Sequence, residues 1–197
     1  MTNEAAPAPR GLILEAAIAL MRESGLSGAG INQILLRSRA PRGSLYYYFP
    51  DGKMQIATEA LELYGARVGA AFESALASGK SPEGKVRALF RLIAGRLEQG
   101  EFAQSCAAGA VTLDIDREWA ALRPVVAKIM EAWRAVVARE VPMRTRAKTD
   151  SFSGLVISAI EGGYIRGRAE RSSAPVIEAG EWLAKMAATE SKRAGRP

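Results

Sequence analysis

The stretch Ala29-Gly-Ile-Asn-Gln-Ile-Leu-Leu-Arg-Ser-Arg-Ala-Pro-Arg-Gly-Ser-Leu-Tyr-Tyr-Tyr-Phe49 decides the fold. It reads as a short helix-forming segment, a break at Arg39–Ala40, and a second short segment opened by Pro41 and Arg42. Proline suits the first turn of a helix, where its missing N–H would have no intrahelical partner. Two short helices with a tight break predict a helix-turn-helix, whose second helix enters the DNA major groove. At about 100° per residue, Leu45 and Phe49 fall on one stripe suited to a core. Tyr47 lies almost opposite, with Gly43 and Ser44 on its side, and Arg42 and Tyr46 share a flanking ridge. The outward face thus carries a cation, phenol hydroxyls and a residue without a side chain, which suits approach to phosphates and base edges.

The aromatic run Ser44–Phe49 has, on local propensity alone, as strong a case for a buried strand. A helix is preferred because the flanking segments are helical and a lone strand would leave its backbone groups unpaired.

Outward from this stretch, Leu12, Ile13, Ala16, Ala17, Leu20 and Met21 make an apolar stripe that predicts a first helix over residues 10–24, stopped by Gly25. Ile31, Ile34 and Leu35 can close a three-helix core with Leu45 and Phe49. Asn32 lies off that stripe, as a phosphate contact or as a local cap. Asp51-Gly52 reads as a turn before a long helix over about 53–77, with Lys53 at its anion-friendly N-terminus. Ser81 is placed to cap a helix over about 82–98 with Pro82 in its first turn. A short helix within 102–115 and a longer one over about 119–141 follow, with Pro124 in the first turn of the latter or kinking it. Two final helices cover about 149–170 and 174–190. Nearly all the punctuation separates helical segments, so the chain is expected to be all-α.

Residues 10–64 resemble the DNA-binding domain of the TetR family of bacterial repressors. Arg42-Gly-Ser-Leu-Tyr-Tyr-Tyr-Phe-Pro-Asp-Gly-Lys53 is similar to that family's Lys/Arg-Gly-Ser-Leu-Tyr-x-His-Phe-x-x-Lys motif. The Phe-Pro-x-Gly-Lys ending, with Phe102-Ala-Gln-Ser-Cys106, resembles the LmrA/YxaF-like branch, which carries a Gly-Cys-Pro motif near mid-chain. Three departures stand out. Tyr48 replaces the usual His, Arg39 occupies the turn position where Gly is usual, and Ser105 and Ala107 replace the neighbours of the branch's Cys. The implied organisation is a tail at 1–9, a helix-turn-helix domain at 10–52, a helical effector-binding and dimerisation domain at 53–190, and a tail at 191–197. Asn32, Arg39, Arg42, Gly43, Ser44, Tyr46, Tyr47, Tyr48 and Lys53 are the candidate DNA contacts.

Composition agrees with this reading and excludes others. The 197 residues include one cysteine and no histidine, so no internal disulfide is possible and the usual imidazole-based zinc sites and triads are missing. No metal, cofactor or catalytic residue is expected. A helical enzyme using Cys106 as nucleophile is disfavoured, since no histidine can activate it. The formal net charge is +6, and four basic residues face one acid between Arg37 and Lys53, in keeping with an anionic partner. The clusters Arg144–Lys148 and Lys192–Arg196 read as solvated surface. No apolar run approaches a membrane span, and no signal-peptide pattern opens the chain, so a cytoplasmic protein without membrane partners is expected.

Two further sets bear on function. Small residues let helices approach closely. Ser158, Gly162, Gly163, Gly180 and Ala184, beside Leu155, Val176 and Leu183, can therefore form a two-fold interface or pack within the chain. The resemblance implies a homodimer through the last two helices. Phe90, Phe102, Cys106, Met130 and Trp133 can line an apolar effector pocket, as the resemblance implies, or serve as plain core. A neutral, planar or aromatic effector would suit such a lining. The resemblance also implies that an effector moves the helix beginning near Lys53 and so changes the spacing of the two recognition helices. The expected function is a dimeric repressor of a pseudo-palindromic double-stranded operator, released by a small molecule. The alternative is a helical ligand-binding or scaffold protein that never touches DNA.

Overall fold

A computed structural model describes the backbone of residues 9–194 and the side chains of residues 9–190. The expected tails and the basic cluster Lys192–Arg196 lie outside this description, apart from Pro9 and the backbone of 191–194, which are helical. Among the described residues every regular element is an α-helix: α1 (Pro9–Gly28), α2 (Ile31–Ser38), α3 (Arg42–Tyr48), α4 (Gly52–Ala77), α5 (Pro82–Gln99), α6 (Ala107–Asp114), α7 (Leu122–Glu140), α8 (Arg146–Glu170) and α9 (Ala174–Ala194). None of these helices is long and apolar enough to cross a membrane.

Local chemistry accounts for the boundaries. α1 loses helical geometry at Ser24 and Gly25, where Gly25 takes a left-handed φ of 68°; the predicted stop is there, followed by one more short turn. Ser81 accepts from the Gly84 amide at 3.2 Å, with Pro82 in the first turn. Thr145 caps α8 by accepting from the Lys148 amide, so that helix starts at Arg146, earlier than predicted. α7 starts later than predicted because Asp116 Oδ1 accepts from the amides of Glu118 and Trp119 and holds them in a turn. Pro124 accordingly sits in its first turn.

The chain divides into two compact units. The first combines residues 1–64 with 107–126, and the second combines 65–106 with 127–197. α4 contributes to both, and α6 belongs with the N-terminal helices.

In the first unit, Ile13, Ala17, Met21, Leu26, Ile34, Leu45, Phe49, Ile56 and Leu61 are fully buried. Each of these except Ala17 contributes about 1.5–3 kcal/mol by leaving water. In the second unit, Phe72 and Trp133 pack with ring centroids 5.7 Å apart, and Trp133 Nε1 donates to the Gly65 carbonyl at 2.8 Å. α5 lies against α9, where a Cβ on Gly180 would stand 2.5 Å from Phe90 Cβ.

Candidate nucleic-acid interface

α2 and α3 are joined by a turn that needs a left-handed residue, and Arg39 supplies it with φ 55° and ψ 20°. A non-glycine residue there costs about 1–2 kcal/mol. The hydroxyl of Ser38, almost fully buried, accepts from the Ala40 amide at 3.3 Å and donates to the Leu35 carbonyl, which closes the turn.

α3 then presents the faces its spacing predicts. Leu45 and Phe49 are fully buried, while Tyr47 is 80% and Tyr46 55% exposed. Arg42 and Gly43 are exposed, and Ser44 is half-buried. A Cβ on Gly43 would meet nothing within 4 Å, so the backbone there is open to a close partner. Arg42 Nη2 donates to Asn32 Oδ1 at 2.6 Å. Asn32 therefore orients a guanidinium rather than capping α2, whose N-cap is Gly30 without a side-chain bond. Tyr48 is half-buried and meets Tyr47 edge-on, centroids 5.0 Å apart. Exposed Arg39 stands at the turn beside this surface. Nearby, exposed Arg37 makes a two-pronged bond to Glu23 at 2.5 and 2.8 Å, which also raises the guanidinium's pKa.

Lys53 departs from expectation. Its ammonium donates to the Leu26 carbonyl at 2.8 Å and lies 4.8 Å from the centre of the Trp119 ring. Partial burial lowers its pKa, an effect opposed by Glu118 and Asp114. The lysine expected to contact phosphate at the start of α4 thus also serves as a fastener within the chain. Beside it, Asp114 Oδ2 accepts from the Ser27 amide at 2.9 Å and the Ser27 hydroxyl at 3.0 Å. A Cβ at Gly25 would fall 2.3 Å from that same oxygen. Residues 114–119 thus clasp the end of α1, a role that their position far along the chain hides from sequence reasoning.

The small residues of α8 and α9 also divide in a way that corrects the predicted interface. Gly163, Val176, Gly180, Leu183 and Ala184 are buried within the chain. Gly163 lets Val176 approach, its Cβ position lying 2.8 Å from Val176 Cγ2, and Gly180 accommodates Phe90. These five are packed among α8, α9 and α5. Leu155, Ser158 and Gly162 are exposed. On the same face of α8 lies exposed Ile165, and α9 exposes Trp182 and Met186, one turn apart.

Of the expected pocket residues, Phe90, Cys106 and Trp133 are buried, and Phe102 and Met130 are half-buried. All five belong to the second unit. Phe90 also lines an open cavity of about 240 Å³ with Arg87, Arg91, Ile177, Gly180 and Glu181.

Comparison with known proteins bears on this architecture. Residues 13–60 match the bacterial regulatory proteins of the tetR family, and residues 82–182 match the transcriptional regulator LmrA/YxaF-like C-terminal domain. The HTH-type transcriptional regulator YxaF of Bacillus subtilis (strain 168) is 28% identical over 170 residues, covering 85% of this chain and 89% of the relative. The regulatory protein TetR from Rhodobacter sphaeroides shares the fold with a TM-score of 0.81 at 19% identity, over 90% of this chain and 97% of that one. CifR, a TetR family transcriptional regulator solved with 26-bp double-strand operator DNA, has a TM-score of 0.76 at 17% identity, over 93% of this chain and 98% of that one. With both its N-terminal helices and its C-terminal helices matched, this chain belongs to the TetR family of transcriptional regulators, with an LmrA/YxaF-like C-terminal domain.

Proposed function

We propose that this protein is a homodimeric repressor that reads a pseudo-palindromic operator through α3 and is released by a small-molecule effector. The observation that carries the DNA reading is the α3 face: Arg42 oriented by Asn32, with exposed Tyr46 and Tyr47 on either side of an open Gly43 backbone. A guanidinium suits bidentate recognition of guanine or contact with phosphate, and phenol hydroxyls can donate to phosphate oxygens. Arg39, Ser44 and Tyr48 complete the contact set; Lys53 is left out of it. That a TetR-fold neighbour is held on operator DNA supports the same reading.

Dimerisation is assigned to the exposed face of Leu155, Ser158, Gly162, Ile165, Trp182 and Met186. Exposed apolar side chains flanking small residues on a helix pair suit an isologous contact. Effector binding is assigned to the second unit, near Phe102, Cys106 and Met130, with Phe90 and Trp133 behind them. Since α4 contributes to both units, an effector that favours one position of α4 would bias the recognition helices. It can do so only by its differential affinity for the two states, about 1–3 kcal/mol for a 5- to 150-fold change in operator affinity.

The test is a mobility-shift titration with the DNA upstream of the protein's own gene at several salt concentrations. Specific, salt-dependent retardation is expected. Absence of specific binding even at low salt would favour the scaffold alternative.

A further inference from the structure

The Glu161 carboxyl on α8 has an oxygen, Oε1, that is closed to solvent and has no hydrogen-bond partner. The Cys106 thiol donates to this carboxyl. Burial pushes the Glu161 carboxyl above the usual carboxylate range; the thiol pulls it the other way, and among the described residues no cationic side chain offsets the burial. Other carboxylates of the same unit are matched: Glu140 with Lys85, Glu181 with Arg87, Glu190 with Lys148. Glu161 stands four residues after Ile157 and three before Tyr164, both buried, so it lies on the inward stripe of α8. A buried carboxyl without a cation is held at a cost, and such a group calls for a partner that the described residues do not supply.

We propose that Glu161 is the recognition carboxylate of an effector site in the second unit, and that this site takes a small apolar ligand bearing a protonated amine. The proposal rests on the effector-binding reading and names the chemistry of that site. An ammonium both donates to Oε1 and balances the ionised carboxylate, whereas a neutral hydroxyl does only the first; charge-assisted hydrogen bonds are roughly twice as strong as neutral ones. The Cys106 thiol occupies part of the carboxyl's hydrogen-bonding capacity and leaves Oε1 for the ligand. This refines the neutral aromatic effector expected from the pocket's apolar side chains.

The probes are 2-naphthylmethylamine and its neutral counterpart 2-naphthalenemethanol, titrated calorimetrically into the full-length protein. The amine is expected to bind about tenfold or more tightly than the alcohol. Glu161→Gln, which keeps the side chain's size and removes its charge, should abolish the preference by lowering the amine's affinity far more than the alcohol's. Equal binding of the two probes to the wild type, no binding of either, or a preference that survives in Glu161→Gln overturns the proposal. Operator affinity measured alongside separates it from the induction reading. Amine binding through Glu161 without operator release keeps the site and removes induction. Operator release by the alcohol, equal in both proteins, keeps induction and removes Glu161.

Discussion

Two faces of this protein expose large nonpolar side chains to a similar degree, yet their chemistry differs. On α3, Tyr46 and Tyr47 flank a guanidinium and an open glycine. On α8 and α9, Leu155, Ile165, Trp182 and Met186 surround Ser158 and Gly162. The first set can keep hydrogen bonds to water and phosphate at every contact, so it suits a wet, salt-dependent interface. The second gains most by excluding water, which suits a dry contact between identical surfaces. Exposure alone does not tell them apart; the polar tip of the side chain does. The glycines repeat the contrast, since Gly43 faces open space while Gly163 and Gly180 are filled against by the chain's own side chains.

The contrast can be broken most sharply on the dry face. Trp182→Asp should weaken dimerisation by about 2–4 kcal/mol or more, as loss of a central anchor does, and sedimentation equilibrium would read it as a shift to monomer. Operator affinity should fall with it, because the two half-sites lose their coupling. An unchanged dimer constant would remove this face from the interface.

Next in size is a pair of glycine substitutions. Gly180→Ala drives a methyl into Phe90 and should cost about 1–3 kcal/mol in denaturant unfolding. Gly43→Ala meets no atom and should be neutral or stabilising by up to about 1 kcal/mol, while weakening operator binding. Equal stability losses would mean that the two glycines do not play opposite parts.

On the wet face, Arg42→Ala should cost about 1–3 kcal/mol of operator affinity if it reads a guanine, or reduce the salt slope by about one if it meets a phosphate. Unchanged affinity and slope would exclude Arg42 from the contact. The smallest effect is expected at the turn. Arg39→Gly removes the left-handed penalty but adds backbone entropy to the unfolded chain. A net gain of about 0.5–1 kcal/mol in unfolding free energy is expected, and a loss of salt slope would show that Arg39 also touches phosphate.

What could be read from the sequence follows from the range of the interactions concerned. The facing of α3 was legible because Leu45 and Phe49 are one turn apart and helical geometry does the rest. The turn at Arg39 was legible because two short helices need a sharp reversal there. Gly163 and Gly180 were recognisable as points of close approach, but spacing within one helix does not say which helix approaches; the answer was Val176 and Phe90 of the same chain. The contacts of Lys53 were not legible because its ammonium answers to Leu26 and Trp119, 27 and 66 positions away. Glu161 carried a signal that went unused: a carboxylate on a stripe otherwise made of Ile157, Ile160 and Tyr164.

The clasp formed by Asp114 and Trp119 has a consequence for how the chain is made. The unit that carries α3 is not contiguous, since it needs residues 107–126 as well as 1–64. During synthesis it must wait for the chain to reach the end of that second stretch, about 3–12 s at typical elongation rates. In that interval the Ser27 amide lacks Asp114, and the Lys53 ammonium lacks its ring. A fragment ending at Tyr64 would therefore stop short of a finished domain. Cutting the gene there to isolate a minimal DNA reader should yield a loosened three-helix piece, and a shortened protein that keeps α6 and its following turn should hold α3 better.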